Sequence, residues 1–246
     1  MKNYFPIICL LCCLVVISMT GQTLAATGTS VNRGKMASGM GTGKLTDSPS
    51  KAGATYSNKA SSEYELGRTS KNAQERAEHL RRAEEFAKQA IKVDPQGAEG
   101  YKWLAIAIGA QAEDADVSTQ IRISRQVKEN IEKALSLDPD DDISLLVLSR
   151  WHYKIASLQP WTKALVRLVY GALPDASMAK AEELLLRAIA KKDRISHRYS
   201  LAKVYYNMGR RSAALEQLRL ALTLPVTFPE EADDLVKVRK KLVSWK

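Results

Sequence analysis

Two short stretches of this chain are near copies of each other, and their spacing limits what the rest can fold into. Ala90-Ile91-Lys92-Val93-Asp94-Pro95 matches Ala134-Leu135-Ser136-Leu137-Asp138-Pro139, and Ala188-Ile189-Ala190 and Ala221-Leu222-Thr223-Leu224-Pro225 are weaker echoes. The residue before a proline is pushed out of the helical region, so each full copy reads as the end of a helix. The anchor alanines Ala90, Ala134, Ala188 and Ala221 lie 44, 54 and 33 residues apart. Self-similarity on this scale marks an array in which each unit buries its neighbour's apolar face. From about Ala60 to Trp245 the apolar residues recur at helical spacing, with no alternating strand pattern. Pro95, Pro139, Pro160, Pro174, Pro225 and Pro229 stand where helices would begin or end.

The last interval is close to the tetratricopeptide period of about 34 residues, and the first two fit that period with insertions of about 10 and about 20 residues. The last unit shows the pattern most fully. Ala202, Ala214 and Ala221 are small where two helices must approach, Leu201 and Tyr205 can fill the space between pairs, and Gly209 can relax the turn. Thr227-Phe228-Pro229-Glu230-Glu231 opens a final helix with acids in its first turn, and Arg239-Lys240-Lys241 lie near its end, a polarity that suits the helix dipole. The expected fold is all-α: a tetratricopeptide-like α-α superhelix of about four helical pairs over residues 58–246, closed by a C-terminal capping helix.

The N-terminus reads differently. Lys2 precedes a nearly unbroken apolar run of 16 residues from Tyr4 to Met19, and small residues follow at Ala25-Ala26. This is the layout of a signal peptide over residues 1–25, and the run is short for a membrane span, which needs about 20 residues. The expectation is an exported chain, secreted into a bacterial periplasm, with an N-terminal membrane anchor as the alternative. Cys9, Cys12 and Cys13 all lie inside the run, so the mature chain would have neither disulfides nor a thiolate metal site. Residues 26–57 are rich in Gly, Ser and Thr, nearly without large apolar residues, and read as a disordered linker.

Catalytic and metal chemistry find little support. His79 lies among Arg76, Arg81 and Arg82, His152 on an apolar stripe beside Trp151, and His197 next to Arg198; none has a second ligand at metal spacing. Glu182-Glu183 and Asp233-Asp234 are adjacent pairs, which do not face each other on a helix. Gly39, Gly41 and Gly43 lack the strand and helix of a phosphate loop. No catalytic residue, metal or cofactor is assigned. The chain carries a net charge of +10, but its basic residues are dispersed beside acids, which points away from nucleic acid and toward acidic partners. Pro160–Tyr170 forms an amphipathic insertion, whose Trp161, Leu165 and Leu168 at helical spacing are expected to pack into the core, with membrane insertion, Lys163 and Arg167 lying opposite the apolar face, as the alternative.

In a helical-pair array the first helix of each pair lines a concave surface. The stripe opposite the buried one gives Lys102 and Ile106 in one unit, Leu146, Arg150, Tyr153 and Lys154 in the next, and Tyr199, Lys203, Tyr206 and Asn207 in the last. These residues share a face within each helix. Lysine and arginine there attract carboxylate or phosphate, and tyrosine adds contact area with a polar tip. The candidate partner-binding residues are therefore Lys102, Arg150, Tyr153, Lys154, Tyr199, Lys203, Tyr206 and Asn207. The expected partner is a protein or acidic peptide, with an anionic lipid or similar amphiphile as the alternative.

Several segments also resemble the regulator of microtubule dynamics family. They are Tyr101-Lys102-Trp103-Leu104-Ala105-Ile106, Ile131-Glu132-Lys133-Ala134-Leu135 running into Leu137-Asp138-Pro139-Asp140-Asp141, and above all Arg150-Trp151-His152-Tyr153-Lys154-Ile155-Ala156 with Trp161 and Leu173-Pro174-Asp175-Ala176-Ser177 after it. Leu201-Ala202-Lys203-Val204-Tyr205 continues the likeness, which covers residues 73–246. The resemblance implies a tetratricopeptide-like helical domain in a non-catalytic protein whose relatives are associated with microtubules, or attach to organelle membranes and engage partners. The leader departs from this, since export would carry the chain away from tubulin.

Overall fold

The computed structural model describes residues 48–171 and 175–245, and among them the regular structure is entirely helical. Four antiparallel pairs follow one another. They are α1 (Pro49–Thr69) with α2 (Ala73–Val93), α3 (Ala98–Gln111) with α4 (Val117–Leu137), α5 (Asp142–Ala156) with α7 (Met178–Lys191), and α8 (Ile195–Asn207) with α9 (Arg211–Ala221). A separate helix, α6 (Pro160–Tyr170), interrupts the third pair, and α10 (Pro229–Ser244) caps the array. The long second interval of the repeat is thus the α6 insertion, and the long first one is filled by the 21-residue α4.

Local chemistry sets the boundaries. The two Asp-Pro copies end α2 and α4 in nearly the same conformation, with φ and ψ of −137° and 82° at Asp94 and −132° and 91° at Asp138. Ser48, Asn72, Asp116, Asp141 and Ser177 each cap a helix start with a side-chain oxygen. Gly209 closes α8 at φ 74°, a conformation that costs a side-chain-bearing residue about 1 kcal/mol or more.

Alanines make the crossings. Ala83, Ala87 and Ala90 of α2, Ala181 and Ala188 of α7, Ala202 of α8 and Ala214 and Ala221 of α9 are all buried. Leu145, Leu184, Leu185, Leu201 and Leu218 fill the gaps between them, each burial contributing about 1.5–3 kcal/mol. Trp151 points inward and donates its indole N–H to the Ser124 carbonyl at 2.9 Å, which fixes the rotation of α5.

Three expectations need correction. Residues 49–57 are not linker but the first turns of α1. Their small residues serve close packing instead: a Cβ on Gly53 would stand 2.6 Å from Cβ of Asp94, at the end of α2. Residues 1–47, with the leader and the rest of the linker, lie outside the described residues. Trp161, Leu165 and Leu168 of α6 are exposed rather than core, because α6 buries Val166 and half-buries Thr162 and Lys163 instead. Leu146, read onto the concave stripe, is buried in the core between α5 and α8.

The α1 packing has a direct test. If residues 49–57 were flexible, Gly53→Ala would be neutral or mildly stabilising through the unfolded chain. Against the Asp94 contact it should instead cost about 1–3 kcal/mol, read as a lower midpoint in urea unfolding.

Candidate functional site

Charged and aromatic side chains gather where α5, α8 and α10 meet. Arg150 and Tyr153 are one turn apart on α5, and Tyr199 and Lys203 one turn apart on α8. The Lys203 ammonium lies 4.9 Å from the Tyr153 ring centre and 5.8 Å from that of Tyr199. Arg150 donates from Nε to Ser200 Oγ at 3.2 Å, and its Nη2 stands 3.9 Å from the Asp234 carboxylate on α10. Asp234 is buried and also receives Lys237 Nζ at 3.0 Å. The Arg150 side chain remains 48% exposed, so its fork is accessible from solvent.

Electrostatics make this cluster unusual. Burial pushes the Lys203 ammonium down to about 8, and the neighbouring Arg150, Lys237 and Lys241 push the same way, with Asp234 opposing. Tyr199 is driven up to about 12 by burial and then by Asp234. Tyr153 is also raised, by burial, with a hydrogen bond to Asn207 opposing. Burial is the largest cause of all three shifts, and at Lys203 the like charges of Arg150, Lys237 and Lys241 add to it.

The other candidates fall in different places. Tyr206 stacks on Trp245 at the end of α10, ring centres 3.9 Å apart and nearly parallel. Asn207 joins the cluster through Tyr153. Lys154 is half-buried, and none of the contacts described for the cluster includes it. Lys102 is elsewhere and already satisfied: buried on α3, it pairs with Glu99 and, at 3.2 Å, with Asp141, the N-cap of α5. Burial pulls its pKa down, but Asp141 and Glu99 outweigh that and leave it raised. It is a structural tie rather than a groove residue.

Sequence reading missed the part played by α10. Asp233-Asp234 read only as an adjacent pair that cannot act together, yet Asp234 faces Arg150 and Asp233 reaches Arg68 at the end of α1, at 3.3 Å. The helix is held there by a buried polar knot. Arg194, at the start of α8, pairs with Asp142 of α5, donates to Thr227 Oγ1 at 3.1 Å and stacks on Phe228 at 4.4 Å. Glu231 accepts from the backbone N–H groups of Thr227 and Phe228 at 2.7 and 3.1 Å, capping α10. His197 is buried beside this knot with Nδ1 2.8 Å from the Lys192 carbonyl, and burial lowers its pKa. Among the described residues no group of His, Cys, Asp and Glu is placed to hold a metal ion.

These features define a helical-repeat protein in which α5, α8 and α10 bring basic and aromatic side chains together. The model of the family "Regulator of microtubule dynamics protein 1-3" matches residues 49–246, and the chain belongs to that family. It is 30% identical over 173 residues to regulator of microtubule dynamics protein 3 of Xenopus laevis, covering 70% of this chain and 37% of that protein. It is 25% identical over 175 residues to regulator of microtubule dynamics protein 1 of Caenorhabditis elegans, covering 71% and 77%. The chain spans about a third of the length of the vertebrate protein 3 relatives. A thermophilic TPR protein of Thermus thermophilus is similar over 80% of this chain and 96% of its own, with a TM-score of 0.48 and 20% identity. The family overturns the expectation of an exported, periplasmic bacterial protein. These relatives are animal proteins named for a cytoskeletal polymer, which a bacterial periplasm does not contain.

The strained lysine yields a pH-dependent prediction. Lys203 holds its proton less well folded than unfolded, so its charge opposes folding at neutral pH. Lys203→Met should melt higher than the native chain at pH 7. The gap should shrink as pH rises from about 8 to 10.5, because the folded native chain sheds the proton there while the unfolded chain keeps it. Thermal melts of both proteins across that range check it.

Proposed function

We propose that this chain is a non-enzymatic scaffold that binds an acidic protein segment on the face shared by α5, α8 and α10. The observation that carries the reading is the excess of positive charge there. Arg150, Lys203 and Lys237 lie around the Asp234 carboxylate, and Lys203 stays in place although burial opposes its charge. Groups kept against their own stability are a mark of functional sites. Arg150 is the principal contact. Its planar fork can hold a carboxylate bidentately, which lysine cannot, and rigid Trp151 sets its direction. Tyr153 and Lys203 line the site beside it, and Tyr206 and Asn207 extend it along α8.

The relatives' names supply the partner. An acidic filament is what a chain of net charge +10 is drawn to, and we extend microtubule binding to this protein on that ground. The test is sedimentation with microtubules, alongside titration of a glutamate-rich peptide. Arg150→Ala should weaken both by about tenfold or more, the worth of a lost charge-assisted hydrogen bond. Its melting temperature should stay native, and added salt should weaken the native chain's binding. Unchanged affinity, or affinity lost only together with the fold, would place the partner elsewhere.

A further inference from the structure

Helix α10 reaches back to the start of the array. It packs on α8 and α9 of the last pair, yet two adjacent acids in its first half meet arginines of earlier pairs. Asp233 lies 3.3 Å from Nη1 of Arg68 at the end of α1, and Asp234 lies 3.9 Å from Nη2 of Arg150 on α5. Arg68 and Asp233 are 165 positions apart in the chain, so the first pair is joined to the last helix beside the α5–α8–α10 face.

These two contacts are looser than the ties that build the fold. Arg210 meets Glu182 of α7 at 2.8 Å, and Arg76 with Glu113 and Arg194 with Asp142 are tighter still. The Asp233 side chain is 68% exposed and that of Arg150 48%, and ion pairs open to water hold little. Each contact also has a reserve. Asp234 keeps Lys237, one turn along its own helix, at 3.0 Å, and Arg68 keeps Glu65 at 2.9 Å. Opening both contacts therefore leaves the two more buried charges with an ion-pair partner and turns the two solvent-facing ones, Arg150 and Asp233, to water. Nor does α10 depend on these contacts for its place. Val238 and Glu231 are fully buried, Trp245 nearly so, and Glu231 caps the helix start. The Asp233-Asp234 pair thus offers the arginines what an acidic segment would offer them, and as part of the same chain it competes at high effective concentration.

We propose that Asp233 and Asp234 are a built-in competitor for the acidic partner, and that Arg68 of α1 belongs to the binding surface: the partner's carboxylates take Arg68 and Arg150 from α10, which stays docked. This rests on the reading of the α5–α8–α10 face as the binding site. It extends that face to the first pair and favours a partner segment with several carboxylates, able to replace both contacts.

The test is titration of the full chain with a fluorescein-labelled hexaglutamate peptide. Asp233→Asn/Asp234→Asn should bind it about tenfold tighter than the native chain, since two exposed ion pairs no longer have to be broken. Asp233→Asn alone leaves the buried Asp234 untouched, so it does not depend on how well the double variant folds, and it should bind about threefold tighter. In an Arg68→Ala background that gain should vanish, because no arginine is left at that position to release. Equal or weaker binding by both asparagine variants would overturn the proposal. So would a gain from Asp233→Asn that persists without Arg68. In either case, binding by the native chain would leave the reading of the face standing. Absence of binding in every one of these chains would bring down that reading itself, and this inference with it.

Discussion

Close approach of helices through alanine is the constraint from which the rest of this structure follows. A methyl side chain at a crossing lets two backbones come within packing distance, and the larger residues must then sit between pairs. Ala83 to Ala90, Ala105, Ala134, Ala181, Ala188 and Ala202 to Ala221 mark those crossings along the array. The leucines of α5 show the consequence. Leu145 and Leu148 belong to the core shared with α3, α4 and α7, while Leu146 belongs to the core shared with α7, α8 and α9. Helix α5 is clamped between two cores, so Arg150 projects from one of the most firmly held elements. A binding residue on such a scaffold keeps its geometry without a ligand to organise it.

A second constraint is polar. Burying Arg194 and Asp142 together gains little net stability over apolar residues of the same shape, but leaving either alone would be costly. The pair therefore acts as a locator. It ties the start of α8 to the start of α5, and through Thr227 and Phe228 it fixes where α10 begins. From that point the stripe of Glu231, Asp234, Leu235, Val238, Leu242 and Trp245 follows at helical spacing, bringing Asp234 to Arg150 and Trp245 onto Tyr206. The cap thus does more than cover an apolar end. It supplies the carboxylate that partly neutralises the basic face.

Much of the architecture was legible because it rests on local rules. Asp-Pro termini, the small Ala202, Ala214 and Ala221 and the turn at Gly209 are read one segment at a time, and each holds in the structure. What failed depended on contacts across the chain. The small residues of 49–57 look flexible by composition, and only the Asp94 side chain opposite Gly53 shows that smallness there means tight packing. Periodicity identified α6 as amphipathic but could not say which side faces protein, since core and membrane surface favour the same side chains. The position of α10 was hidden for the same reason: Asp233-Asp234 reads as an adjacent pair of helix acids whether or not distant arginines meet them.

Lys102 and Lys203 sharpen the distinction between a scaffold residue and a site residue. Both were placed on the concave stripe by the same offset, and both are largely withdrawn from water. Lys102 has a carboxylate on either hand, so its charge is stabilised despite burial. Lys203 has two tyrosine faces and an arginine around it, with Asp234 already engaged by Lys237 and approached by Arg150. Spacing alone cannot separate the two, because the partners of each come from other helices. The sign of the pKa shift does separate them: raised where two carboxylates outweigh burial, lowered where burial, with Arg150 behind it, outweighs the single opposing carboxylate of Asp234.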